Sequence, residues 1–342
     1  MSLRTSSVAT ATSVWFPAAR SVELRSEPID EPGPREVRIR ALASAISHGT
    51  EMLVYRGAVP ADLPLDLPSL RGDFGFPIKY GYASVGRIVA RGDEVDSLER
   101  DDLVFVHHPH QTEYVVPQSQ AVRLADDVDV EAATMLANLE TATNVALDAH
   151  PRLGDRVVVL GQGVVGLLVT QLMRRAGASL VVAVDPVARR RDVARDRGAH
   201  VAVAPEEADD AVRVLTGGVG ADIAIEASGT GTALAQALEL VAFQGTVVVC
   251  SWYGSKSVEL PLGAAFHRHR LRIVSSQVSN LDPALAPRWD RRRRLTFAGS
   301  LLGELELTRL VTHRFPLERA AEAYQLVDEH PDETVQVLFT YQ

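Results

Sequence analysis

The segment Val157-Val158-Val159-Leu160-Gly161-Gln162-Gly163-Val164-Val165-Gly166 constrains this chain more than any other stretch. Its first four residues are continuously apolar, as in a strand buried on both faces. A glycine turn follows, and then the start of an apolar helix. Gly161 permits the tight turn, Gly163 lets a pyrophosphate approach the backbone, and Gly166 allows the helix to pack closely on the strand. The helix start at Val164 and Val165 offers unpaired N–H groups and partial positive charge to a phosphate. Asp185 ends the next strand, 19 residues after Gly166. A carboxylate at that point accepts hydrogen bonds from ribose hydroxyls and repels a 2′-phosphate, which favours NAD over NADP. Arg190, between Arg189 and Arg191, either offsets that repulsion or belongs to an exposed helix face.

The pattern around this segment is α/β. Residues 180–184, 221–226 and 246–250 read as strands, and residues 164–176 and 189–197 as helices, which predicts a doubly wound parallel sheet. The loops after two of these strands, Ala227-Ser228-Gly229 and Ser251-Trp252-Tyr253, lie at strand C-termini, where open α/β sheets bind ligands. Before about residue 125 the periodicity changes. Glu36-Val37-Arg38-Ile39-Arg40 alternates with period two, as do residues 84–89 and 113–116, while residues 60–77 read as a long surface loop. That half predicts a compact antiparallel β domain. Beyond residue 286 the expectation is a helix over 286–302, a strand over 311–315, another helix, and a final strand over 334–339.

Composition narrows the function classes. A chain of 342 residues is long enough for two cores. Its 44 acidic against 35 basic residues leave a formal net charge of −9, with no electrostatic footprint for nucleic acid or an anionic membrane. The single cysteine, Cys250, excludes an intrachain disulfide, a Cys-rich zinc site and a cysteine-held iron–sulfur cluster. It sits in an apolar strand and reads as a small hydrophobe. A reducing, cytoplasmic location fits. The N-terminus lacks the apolar region of a signal peptide. The longest apolar stretch, residues 157–173, is broken at Gly161-Gln162-Gly163, so no membrane span is expected. The run Arg291-Arg292-Arg293-Arg294, flanked by Trp289 and Leu295, reads as a solvated helix face rather than a phosphate site.

Nearly end to end, the chain resembles the medium-chain dehydrogenase/reductase superfamily. The resemblance rests on Pro32-Gly33-Pro34-Arg35-Glu36-Val37, Gly81-Tyr82-Ala83-Ser84-Val85-Gly86, Glu113-Tyr114-Val115, the glycine turn and Thr312-His313-Arg314-Phe315. Ser44-Ala45-Ile46-Ser47-His48-Gly49-Thr50-Glu51 and Ala137-Asn138-Leu139-Glu140-Thr141 look like one branch, the bacteriochlorophyllide-type hydroxyethyl dehydrogenases. The implied architecture is a GroES-like antiparallel β catalytic domain over residues 1–138, a Rossmann domain over 139–285, and a return to the catalytic domain over 286–342. The implied partners are a small-molecule substrate and a second copy of the chain, joined through a Rossmann edge strand near residues 271–276.

Zinc members of the superfamily carry Cys-Gly-Thr/Ser-Asp where this chain has His48-Gly49-Thr50-Glu51, and Gly-His-Glu where it has Gly81-Tyr82-Ala83. Their third ligand falls at or near Ala137. Of these positions only His48 retains a coordinating side chain, and one ligand does not make a zinc site. His107, His108 and His110 share one short connection whose Pro109 restricts their convergence, so no zinc is expected there either. Without metal, side chains must handle the proton that accompanies hydride transfer. By resemblance His48, Thr50 and Tyr82 line the old metal position. Thr50 matches the proton-relaying hydroxyl, His48 has an imidazole suited to acid/base work, and Tyr82 has a phenol to donate. His48 is equally readable as a packed, hydrogen-bonded side chain. Glu51 is expected to orient His48. Glu140 is either a second acid/base or a helix-start acid, and Thr141 faces the nicotinamide by resemblance. The leading expectation is NAD-dependent, zinc-free interconversion of a secondary alcohol and a ketone. The alternatives are quinone or enone reduction, and a nucleotide-binding protein that has lost catalysis.

Overall fold

A computed structural model describes residues 9–65, 70 and 72–341. The chain divides into two compact units, residues 1–137 with 302–342, and residues 138–301.

In the first unit, a seven-stranded sheet runs in the order Val311–Pro316, Gln336–Thr340, Glu36–Ala45, Ser84–Arg91, Leu103–Val106, Ala121–Arg123, with Glu113–Pro117 also pairing Glu36–Ala45. All pairings are antiparallel except that of the first two strands, which is parallel. The period-two pattern has its expected cause. Val37, Ile39 and Ala41 point into a core shared with Ile88, Val104, Val106 and Tyr114, while Arg38 and Arg40 face Glu113. A hairpin of Thr10–Trp15 and Glu23–Pro28 adds a small second sheet. A further core gathers Phe16, Ile46, Met52, Tyr55, Tyr324 and Phe339 around the short helix Thr50–Tyr55 and the helix Ala320–Glu329. Each fully buried aliphatic or aromatic side chain there contributes about 1.5–3 kcal/mol. Within the expected 60–77 loop, residues 66–69 and 71 lie outside the described residues.

The second unit is the expected doubly wound sheet. Six parallel strands follow the order Val201–Val203, Leu180–Val184, Arg156–Leu160, Ala221–Glu226, Val241–Val249, Arg272–Ser275. Its core of Val158, Leu160, Val182, Val184, Ala224, Leu238 and Val247 explains the continuously apolar strands. Sequence order reverses on either side of Arg156–Leu160, which makes its C-terminal end the switch point where such sheets bind ligands.

Residues 286–301, expected to join the first domain, lie with the second unit. The reason is Arg294. The helix Arg291–Ser300 exposes Arg291, Arg292 and Arg293 but buries Arg294 to 2% exposure, so the solvated-face reading fails at that one residue. Its guanidinium donates to Glu140 Oε1 at 2.8 and 3.2 Å and to Asn144 Oδ1 at 2.5 Å. A buried cation needs such partners, and both come from the helix Leu136–Ala149.

Candidate active site

Two constellations carry chemistry, one in each unit. In the second, the chain turns at Gly161 with φ +93°, a region that favours glycine. A Cβ on Gly166 would stand 1.8 Å from the Gly161 carbonyl oxygen, so only glycine lets the helix Val164–Arg175 start this close to the strand. At Gly163, the N-cap, no atom lies within 4 Å of where a Cβ would be, and a side chain there would occupy the space over the turn. These features fit a dinucleotide pyrophosphate at the helix start formed by Val164 and Val165.

The surrounding loops are cross-braced. Asp185 is buried, and it accepts from the Gln162 N–H at 2.6 Å and the Val187 N–H at 2.8 Å. The Nη1 atom of Arg190 stands 3.9 Å from the Asp185 carboxylate, and Arg191 instead donates to the Asp185 and Pro186 carbonyls. Glu226, fully buried at its strand end, accepts from the Ser228 N–H, the Ser228 hydroxyl and the Gly229 N–H at 2.7–2.8 Å. The Gly229 N–H also reaches Ser251 Oγ at 2.9 Å, which ties the Ala227–Ser228 and Ser251–Trp252 loops together. No expectation had singled out Glu226. Its signal was available, an acid ending an apolar strand just before Ala-Ser-Gly. Burial, then the Glu226 charge, push the Cys250 thiol up to about 12, so it is no nucleophile at neutral pH. Thr141 lies half-buried in the helix Leu136–Ala149. Glu140 beside it is an ion-pair partner of Arg294, which corrects its reading as an acid/base or a helix-start acid.

In the first unit, Ser47, His48 and Gly49 form the turn between the strand Glu36–Ala45 and the helix Thr50–Tyr55. Tyr82 precedes the strand Ser84–Arg91 and donates its phenol to Ser47 Oγ at 2.5 Å. Burial raises the Tyr82 pKa most, hydrogen bonds to Ser47 and Thr50 oppose that, and the nearby Glu51 charge adds to it. Tyr82 is therefore a neutral phenol. Sequence reading brought His48, Thr50 and Tyr82 to this place but passed over Ser47.

Glu51 departs from expectation. It is fully buried, and both its oxygens accept from residues other than His48. Its Oε2 accepts from the Ser47 N–H at 3.0 Å, and its Oε1 takes the Tyr324 hydroxyl and His110 Nε2, the latter at 2.9 Å. His110 Nδ1 in turn meets Ser44 Oγ at 2.6 Å, and Ser44 Oγ meets the Tyr341 hydroxyl at 2.7 Å. The other two histidines of that connection have ring partners of their own. His108 stacks on Tyr114 with ring centroids 3.7 Å apart and meets the Pro109 carbonyl at 2.9 Å, and burial takes its pKa down to about 3. His107 lies edge-on against Phe105.

A family model described as zinc-binding dehydrogenase matches residues 164–290. Over 328 residues the chain is 31% identical to the D-guloside 3-dehydrogenase of Escherichia coli K12, covering 90% of this chain and 93% of the relative. The chain belongs to the medium-chain dehydrogenase/reductase superfamily. It is accordingly an NAD(P)-dependent dehydrogenase with the two-domain fold of that superfamily. Two solved structures share the fold. One is an Escherichia coli oxidoreductase/dehydrogenase of unknown specificity, with a TM-score of 0.82, 17% identity, and 98% and 100% of the two chains covered. The other is an alcohol dehydrogenase of Escherichia coli CFT073 complexed with NADH, with a TM-score of 0.79, 20% identity, and 97% and 99% covered.

The matched family's description implies zinc, so the donor set has to be tested against it. A catalytic zinc takes three protein ligands from Cys, His, Asp or Glu. Around the 47–51 turn stand one imidazole, His48, and the hydroxyls of Ser47, Thr50 and Tyr82, while both oxygens of Glu51 are engaged by protein donors. Among the described residues no group of three or more His, Cys, Asp or Glu could hold a metal. This donor set does not fit a catalytic zinc.

Proposed function

We propose that this superfamily member works without zinc, uses NAD(H), and interconverts a secondary alcohol and a ketone. The observation that carries the reading is the turn at residues 47–51, where hydroxyls and one imidazole replace a ligand set and Glu51 is committed to His110 and Tyr324. The name of the D-guloside relative supports a secondary hydroxyl of a polyhydroxylated compound as substrate. Asp185 at its strand end supports NAD, as does the NADH held by a structural neighbour.

When bound, the nicotinamide accepts or supplies the hydride. The chain's own residues do the rest. Backbone N–H groups at Val164 and Val165 hold the pyrophosphate, with Gly161, Gly163 and Gly166 keeping the path open. Asp185 and Arg190 define the ribose end, and Thr141, Ala227, Ser228, Ser251 and Trp252 border the groove. His48 exchanges the proton with solvent, Thr50 relays it, and Tyr82, a neutral phenol, passes it on. The same reading includes a cytoplasmic homodimer joined through Arg272–Ser275, the edge strand of the parallel sheet. No helix among the described residues is long and apolar enough to cross a membrane.

The test is a substrate panel with metal analysis on the same preparation. Secondary alcohols and glycosides should reduce NAD+ in protein carrying less than stoichiometric zinc. His48→Ala should lower turnover by about 10²–10⁴-fold and leave NADH affinity unchanged. Enone or quinone turnover without alcohol oxidation, or one zinc per chain required for activity, would overturn the reading.

A further inference from the structure

The hydroxyls around the 47–51 turn form a file with a direction. Tyr82 has a single hydroxyl hydrogen, and Ser47 takes it, so in its contact with Thr50 the phenol oxygen accepts. Tyr82 then donates to Ser47 Oγ at 2.5 Å. Among the described residues Ser47 Oγ makes no other hydrogen bond, so its own hydrogen is the one the file leaves to give. Tyr82 has spent its proton on Ser47. The residue placed to donate is Ser47.

Beneath this file lies a base that holds it in register. Ser47 is half-buried, but its N–H is tied to Glu51 Oε2 at 3.0 Å. Glu51 and His110 are both fully buried and 2.9 Å apart. Donor accounting orients the pair. Ser44 Oγ links the Tyr341 hydroxyl to His110 Nδ1, and Glu51, whose oxygens accept from Ser47 and Tyr324, takes the Nε2 hydrogen of His110. The carboxylate receives three donors, from His110, Ser47 and Tyr324. His110 reaches Glu51 because residue 81 is glycine. At its φ of +138°, a Cβ there would stand 3.0 Å from His110 Nε2 and Cδ2.

We propose that Ser47 is the hydrogen-bond and proton donor to the reacting oxygen, held at the end of the Thr50–Tyr82–Ser47 file, with Glu51 and His110 as its positioning residues. The inference rests on the alcohol/ketone reading above. Ketone reduction consumes one hydride from the cofactor and one proton from the protein. Ser47 gives its hydroxyl proton to the oxygen that takes up the C=O electron pair. Tyr82 passes its proton to Ser47, Thr50 passes its proton to Tyr82, and water restores Thr50. Oxidation runs the same moves backward. None of the three needs to exist as a free anion, which suits a phenol whose pKa is raised.

The test uses the full-length enzyme on whichever substrate of the panel the wild type turns over. Ser47→Ala should lower kcat by about 10²–10³-fold, the range for losing one donor to a developing oxyanion, with NADH affinity unchanged and the fold retained by circular dichroism. Ser47→Thr keeps the hydroxyl and should restore kcat to within about tenfold of wild type. Glu51→Gln turns an N–H₂ toward the Ser47 N–H and should lower kcat in the same way. If Glu51 acts through Ser47, the double variant will be no slower than Ser47→Ala alone. Wild-type kcat in Ser47→Ala overturns the inference and leaves the alcohol/ketone reading standing, and additive losses in the double variant overturn the positioning role. Turnover of enones or quinones alone overturns the alcohol/ketone reading, while Ser47→Ala on that substrate still decides the donor. A wild type that turns over nothing in the panel overturns both.

Discussion

Arg294 offers the sharpest test of how the second unit is held together. It is 2% exposed and Glu140 is 8% exposed, so the pair has almost no solvent to fall back on. Replacing Arg294 with Met fills much of the same volume but removes three donated bonds at 2.5–3.2 Å. At about 1.5–3 kcal/mol for each charge-assisted bond, simple addition would approach roughly 9 kcal/mol. That sum ignores the solvation an arginine gives up when it is buried. The governing quantity is the cost of leaving the Glu140 carboxylate buried without its cation, about 3–5 kcal/mol. A loss of that size corresponds to a melting temperature lower by roughly 6–20 °C, at about 2–4 °C per kcal/mol for a domain of this size. The second variant discriminates. Adding Glu140→Gln to Arg294→Met removes the orphaned charge and should bring stability back to within about 1–2 kcal/mol of wild type. Urea denaturation followed by circular dichroism, with calorimetry for the melting temperature, measures both. A single variant costing under about 1 kcal/mol, or a double variant no more stable than the single, would refute the reasoning.

Two other predictions follow from buried groups and the glycine turn. Because burial takes His108 from 6.5 down to about 3, the unfolded chain binds a proton between those pH values that the folded chain refuses. Stability should therefore fall as pH drops below 6.5, by up to about 1.4 kcal/mol per pH unit from this group. His108→Phe, which keeps a ring against Tyr114, should flatten that slope in urea titrations at pH 7 and pH 5; an unchanged slope would contradict it. Gly163→Ala adds a methyl where no protein atom lies within 4 Å, so it should weaken NADH binding at least tenfold without lowering the melting temperature. Gly166→Ala, whose Cβ meets the Gly161 carbonyl oxygen at 1.8 Å, should lower both. Equal NADH affinity in Gly163→Ala and wild type would remove the glycine turn from the cofactor site.

What the sequence determined by itself is local in origin. The strand–glycine–helix unit at residues 156–175 was legible because a few adjacent residues carry its backbone requirements. The period-two strands of the first unit and the continuously apolar strands of the second announced which sheets have one buried face and which have two. The superfamily followed from motifs that are themselves short and contiguous. Tertiary structure decided everything that depends on partners far apart in the chain. Arg294 looks like its three exposed neighbours until Glu140, 154 residues away, accounts for its burial. Glu51 holds the turn through the Ser47 N–H, and its side-chain partners are His110 and Tyr324, 59 and 273 residues away. Ser47 carries no signal in the linear order, since a serine near a glycine is commonplace, and becomes conspicuous only with Tyr82 2.5 Å from its oxygen. The physical reason is the same in each case. A backbone conformation is set by neighbours along the chain, whereas the cost of burying a charge or an unspent proton is settled by whatever polar group the fold delivers to it.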